Sequence, residues 1–222
     1  MTSAIIVGSS GAVGQELLFQ IIKNRPNCKV YAPVRSARKT EQPSSHNIHR
    51  EKGEVANPSD FSFPNSDVLF ICIGTTQKKT PDKEQYKTID VDIPIAWARW
   101  AKETGVPKVI VISSLGANSR SSFFYNRIKG EMEEGVSAHN PGGTTMVRPS
   151  LLMGKREENR VGEKIAIWLY NFLGFLIPKN YKGVTYQTVA RSMMALAESS
   201  DSPSTVESMD LAAWADSLNQ EK

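Results

Sequence analysis

The stretch Ala4-Ile-Ile-Val-Gly8-Ser-Ser-Gly11-Ala-Val-Gly14 joins an apolar run to a glycine-punctuated turn. Consecutive apolar residues that end in glycine predict a buried strand. From Gly11 to Lys23, Val13, Leu17, Leu18, Ile21 and Ile22 recur at helical spacing, and Asn24 and Pro26 close the segment. The order is therefore strand, turn, helix, and in that context Gly-x-x-Gly-x-x-Gly has a physical meaning. Gly8 permits the tight exit from the strand, Gly11 lets backbone approach a pyrophosphate, and Gly14 allows close helix–sheet packing. N–H groups exposed at the helix start then hold the phosphates. The competing reading, a tight turn with no ligand, is the weaker one in this context.

Lys29 to Val34 reads as a second strand, which completes a strand–helix–strand unit of about thirty residues, the size of a parallel crossover. Sites that prefer NAD put Asp or Glu at the end of this strand for the ribose 2′-hydroxyl. Here Arg35 stands there, with Arg38 and Lys39 close behind. A guanidinium attracts a 2′-phosphate and stacks on adenine, so the expected cofactor is NADP(H). For Arg38 and Lys39 a solvated basic loop is an equally simple account.

The remainder repeats the alternation. Ser36 to Pro64 is polar and hard to read, with one weak strand near Ile48. Asp67 to Ile73 is the clearest buried strand and stops at Gly74-Thr75-Thr76. Glu84 to Thr104 has a helical pattern that Pro94 divides or kinks. Val109–Ile112 and Thr144–Val147 read as strands on either side of a helix from Phe124 to Ser137. Such alternation predicts an α/β fold, a Rossmann-type doubly wound parallel sheet. After Pro149 the pattern changes to a charged loop at Lys155–Arg160, an apolar helix at Glu163–Leu176, a helix at Thr188–Glu198 and a short strand and helix within Glu207–Leu218. We expect one domain over 1–222, with a nucleotide-binding core to about residue 148 and a small C-terminal cap after it.

Tyr125 and Lys129 share one face of the helix after the fifth strand. A phenol is a poor base at neutral pH, and an ammonium nearby favours its ionised form. Such a tyrosine serves the proton transfer that accompanies hydride transfer to a carbonyl. Ser113-Ser114 ends the preceding strand, where a hydroxyl reaches the same carbonyl oxygen. A Tyr-x-x-x-Lys pair is common on exposed helices; its order after the glycine turn and the serine pair is what distinguishes it.

The glycine turn at 8–14, Arg35, Cys72-Ile-Gly-Thr-Thr76, Ile112-Ser-Ser-Leu-Gly-Ala117, Tyr125 with Lys129-Gly130-Glu131, Arg148-Pro149-Ser-Leu-Leu152 and Arg156-Glu-Glu-Asn-Arg160 run through most of the chain. Together they resemble the atypical short-chain dehydrogenase/reductases, and among these the HIV Tat-interacting-protein type of NADPH-binding oxidoreductase. The resemblance implies Tyr125 as acid/base, Lys129 as its support and nicotinamide-ribose contact, and Ser114, with Ser113 as its fallback, against substrate. It implies Ser10, Gly11, Ala12 and Val13 on the phosphates, Arg35 on the 2′-phosphate, Ile73 with Gly74 on the adenosine side, and Leu152 and Arg160 as later cofactor contacts, with Ser9 and Thr75 also among the cofactor-binding residues. The chain departs from the family at Ser150, where glycine is usual, and in the loop from Gln77 to Lys83. Two functions follow from the resemblance: hydride transfer to or from a small carbonyl or alcohol, or NADPH-dependent regulation through a protein partner.

Composition excludes several other classes. The chain has 222 residues, 40% hydrophobic and 23% charged, which is ordinary globular composition and not that of a disordered chain. Its net charge of +4 comes without interleaved basic and aromatic residues, which argues against nucleic acid. The three histidines lack metal-ligand spacing. Ile165–Ile177 falls short of the ~20 residues that cross a bilayer, and reads as cap core or pocket wall ahead of a peripheral lipid contact. Two cysteines permit no disulfide framework, and strand-like sequence from Ala4 leaves no room for a leader, so the expected location is the cytoplasm.

Overall fold

A computed structural model describes residues 1–35, 45–139, 143–153 and 182–218. Its first strand, β1 (Ser3–Val7), buries Ala4 and Ile6 on one face and Ile5 and Val7 on the other. A strand covered on both faces has no polar side, which is why its sequence shows no alternation. With α1 (Ala12–Asn24), β2 (Lys29–Val34), β3 (Ile48–Lys52) and β4 (Val68–Ile71) the first half of the fold is complete.

The segment from Lys83 to Thr104 is helical in three parts: α2 (Lys83–Lys87), a π-helical turn (Thr88–Asp92) and α3 (Ile93–Thr104). The break expected at Pro94 falls just before it, for a steric reason. A proline ring in an α-helix collides with the carbonyl four residues back, here that of Asp90, and a wider turn relieves the collision. β5 (Val109–Ile112), α4 (Phe124–His139) and β6 (Thr144–Arg148) follow. β7 (Leu152–Met153) and β8 (Val184–Thr185) form a separate parallel pair. The C-terminal region also adds α5 (Tyr186–Glu198), β9 (Thr205–Glu207) and α6 (Leu211–Ser217).

Seven strands form one parallel sheet in the order β3-β2-β1-β4-β5-β6-β9. Leu17, Met193 and Leu211 from α1, α5 and α6 pack on one face, and Trp97 and Met132 from α3 and α4 on the other. Strand order reverses between β1 and β4, and in such sheets the crevice outside the carboxyl ends at that reversal receives the ligand. The glycine turn leaves β1 there. The predicted helix at 163–176, with Glu157, Glu158, Glu163 and the Ile165–Ile177 run, lies outside the described residues.

Arg148, at the end of β6, ties three elements together. Its guanidinium donates to Glu133 of α4 and to Glu207 of β9, each at 2.9 Å. Hydrogen bonding to Glu133 first, and then to Glu207, raises its pKa above the ordinary arginine value. Glu133→Ala leaves this guanidinium without its buried partner and is expected to cost about 1–3 kcal/mol. Thermal denaturation checks this, and an unchanged midpoint would show the link to be idle.

Candidate functional site

At the turn after β1, Gly8 and Gly14 solve two separate steric problems and Gly11 opens the helix. Gly8 has φ +86°, and a β-carbon on it would stand 2.7 Å from the backbone carbonyl of Cys72. One on Gly14 would stand 2.2 Å from the Gly8 carbonyl oxygen. Gly11 donates its N–H to the Gly8 oxygen at 2.9 Å and is the N-cap of α1. No side chain caps that helix and its first turn holds no acid, so its dipole and early N–H groups remain suited to an anion. Ser9 is buried, and its hydroxyl has no partner among the described residues. Ser10 and Gly11 are exposed, Ala12 is half-buried and Val13 is buried.

Arg35 follows β2 at the same carboxyl edge, is exposed, and makes no ion pair with another described residue. Arg38, Lys39 and Arg160 lie outside the described residues. Leu152 is half-buried, packs against the hydrophobic core and pairs with Val184.

After β4, Ile73 and Thr75 are half-buried and Gly74 is exposed. Here a group enters that sequence reasoning missed. Asp90, on the π-helical turn, is buried and accepts the Thr75 N–H at 2.8 Å. Its other oxygen lies 2.9 Å from the Lys129 ammonium, itself buried. A β-carbon on Gly74 would sit 3.3 Å from that carboxylate oxygen and 3.8 Å from Lys129 Nζ, so the glycine gives the pair its room. A signal for Asp90 was present: Tyr86, Asp90, Ile93 and Trp97 fall on one helical stripe, and all four are buried. An acid on a buried stripe requires a partner.

β5 carries Ser113 and Ser114 to the edge, where both are buried with hydroxyls that lack a partner among the described residues. The following loop lies directly on α4, because a β-carbon on Gly130 would come within 2.0 Å of the Ser119 nitrogen. The loop's close seat on α4 thus lies next to Lys129 in the chain. Tyr125, one turn earlier, is 45% exposed. It bears on Tyr86, whose phenol is raised by burial first and then by Asp90 and Tyr125.

These residues fit a nicotinamide dinucleotide. Two backbones meet at a turn that excludes any side chain, and Ser9, Ser113 and Ser114 carry buried hydroxyls that a ligand would satisfy. The thiols are quiet, since burial pushes Cys28 to about 11 and Cys72 to about 12. Among the described residues no group of His, Cys, Asp and Glu is arranged to hold a metal ion.

Known proteins agree with this architecture. A family model described as NAD(P)H-binding matches residues 8–162. Protein HTATIP2 of Rattus norvegicus is 30% identical over 194 residues, covering 86% of this chain and 79% of its own. Protein fmp52, mitochondrial, of Emericella nidulans is 29% identical over 182 residues, covering 78% and 77%. Among solved structures, the Helicobacter pylori ADP-L-glycero-D-manno-heptose-6-epimerase superposes with TM-score 0.68 at 18% identity, covering 93% of this chain and 76% of that one. The Bordetella bronchiseptica enzyme WbmH in complex with NAD+ gives 0.66 at 15%, covering 89% and 72%. Identities this low speak for the fold alone.

The Fmp52 relatives, that of Candida albicans included, are named mitochondrial, which overturns the expected cytoplasmic location. Two reduced thiols argue against an oxidising compartment but do not tell one reducing compartment from another. By the family model and the HTATIP2 likeness, this chain belongs to the NAD(P)H-binding family, as an atypical short-chain dehydrogenase/reductase.

Proposed function

We propose that the chain is an NADPH-dependent oxidoreductase, folded as one domain, that acts on a small carbonyl or alcohol with Tyr125 as acid/base. When bound, the cofactor supplies or accepts the hydride. Tyr125 gives or takes the proton on the substrate oxygen, and Ser114, with Ser113 as its neighbour, hydrogen-bonds the same oxygen. Lys129 contacts the nicotinamide ribose and supports the phenol, and Asp90 sets the position of its ammonium. The turn from Gly8 to Gly14 holds the diphosphate and Arg35 the 2′-phosphate, with Ile73, Gly74, Thr75 and Leu152 along the cofactor. The single observation that carries this reading is the convergence, at one sheet edge, of three buried hydroxyls without partners among the described residues and a buried lysine. The names of the fungal relatives support a mitochondrial setting.

Fluorescence titration with NADPH and NADH tests the cofactor assignment. NADPH is expected to bind about tenfold tighter or more, the yield of one charge-assisted contact, and Arg35→Ala to close most of that gap. Equal affinities in the unaltered protein defeat the role given to Arg35. Oxidation of NADPH with a panel of aldehydes, ketones and quinones tests the chemistry. Tight NADPH binding without turnover, together with nucleotide-dependent binding of a protein partner, would replace the enzyme reading by the regulatory one.

A further inference from the structure

The loop that resembled nothing in the family, Gln77 to Lys83, forms one wall of a pocket of about 230 Å³ beside α4. Gln77, Thr80, Pro81, Lys83, Tyr86 and Phe124 line it. The loop is held by its own hydrogen bonds. The Lys79 and Thr80 N–H groups donate to the Thr76 carbonyl at 2.8 and 2.9 Å, and the Thr75 and Thr80 hydroxyls meet at 2.8 Å. The opposite wall is aromatic, with Tyr86 buried and edge-on to Phe124 at 5.4 Å between centroids.

Charge at this pocket has one sign. Among the described residues Lys83 is the only charged side chain in the lining, and its ammonium stands 5.7 Å from the Phe124 ring centre. The Arg127 guanidinium stands 5.9 Å from the same centre. Both sequence neighbours of Lys83 are acids: Asp82 caps α2 by accepting the Gln85 N–H at 2.7 Å, and Glu84 is exposed on the first turn of α2 and outside the lining. Lys78 and Lys79 are exposed on the same loop. Tyr86, which lines the pocket, also feels Tyr125, so the pocket lies within electrostatic reach of that phenol.

We infer that this pocket is the substrate's and that it selects a small carbonyl compound with a flat apolar body and an anionic group, a carboxylate being the simplest. The body lies on Phe124 and Tyr86, and the anion meets Lys83. The volume is below the ~300–1,000 Å³ of pockets for drug-sized ligands, so a single ring or a short chain fits. In the reducing direction the carbonyl carbon would take hydride from NADPH and its oxygen the proton of Tyr125, giving NADP⁺, an alcohol and a phenolate that regains its proton from water, while the anionic group is unchanged. The inference rests on the oxidoreductase reading, and its test separates the two.

Benzaldehyde and 4-carboxybenzaldehyde serve as substrates with NADPH. Benzyl alcohol and 4-carboxybenzyl alcohol serve as binding probes, read by ligand-observed NMR with and without NADP⁺. The carboxylated member of each pair is expected to be favoured about tenfold, the yield of one charge-assisted hydrogen bond, with the preference shrinking as salt is raised. Lys83→Met should bring the ratio near one and Lys83→Arg should preserve it. Equal use of both aldehydes, or a Lys83→Met loss shared by both, overturns the pocket assignment and leaves the oxidoreductase reading standing. If neither aldehyde reacts, Lys83-dependent preference for the carboxylated alcohol supports the anion pocket, and the wider panel of aldehydes, ketones and quinones decides the enzyme reading. No charge preference in either readout overturns the inference.

Discussion

Tyr125→Phe is expected to lower turnover about 10²- to 10⁴-fold, the usual contribution of a positioned acid/base, and to leave NADPH affinity and thermal stability nearly unchanged. The two halves of that expectation have separate causes. Tyr125 is 45% exposed on the first turn of α4, so removing its hydroxyl opens no cavity in the core. The glycine turn lies across the crevice on another element, and the Asp90–Lys129 pair does not depend on the phenol. What is lost is the proton on the substrate oxygen. Steady-state NADPH oxidation, paired with a fluorescence titration of the same sample, reads both. A variant that turns over normally removes Tyr125 from the chemistry, and one that loses NADPH as well makes its role a binding one.

The fold was legible wherever the physics is local. Ala4–Val7 and Val109–Ile112 are short and apolar, and all but the half-buried Ile112 are buried, on both faces of a sheet that helices cover on both sides. The glycine turn was legible because Gly8 and Gly14 each answer a contact that any side chain would violate. β3 was only faintly visible, and for a physical reason. It is an edge strand of sequence Ile48-His-Arg-Glu-Lys52, mostly exposed, and charged residues there guard an open edge while erasing the apolar pattern. The Gln77–Lys83 loop was unreadable because its shape depends on particular hydrogen bonds to Thr75 and Thr76, which have no period.

The site divides in the same way. The spacing of Tyr125 and Lys129 is local, so the shared helix face could be read directly. The Asp90–Lys129 pairing joins a π-helical turn to α4 across a large gap in sequence, and that turn exists because Pro94 follows it. Apolar spacing in the helix was legible, yet an acid within the stripe carries no period of its own. The chain accepts a buried ion pair at the crevice in place of a simple apolar contact, and a lysine fixed in this way occupies one position beside Gly74.

Lys129→Met tests whether that pair is structural, catalytic or both. Removing one member of a buried ion pair leaves an uncompensated charge, so the single variant is expected to lose about 3–5 kcal/mol of stability. Asp90 is the group left exposed to that penalty, being 1% accessible with one oxygen on the Thr75 N–H and the other on Lys129. The double variant Asp90→Asn/Lys129→Met removes both charges while the asparagine oxygen still accepts from Thr75. Its thermal midpoint is therefore expected to recover most of the loss. Turnover should not recover with it, and should stay down by about 10²-fold or more, because on the proposed reading no ammonium remains to serve the nicotinamide ribose and the phenol. Recovery of both stability and turnover would make Lys129 a purely structural residue. A single variant as stable as the parent would mean that the 2.9 Å contact carries no weight in the fold.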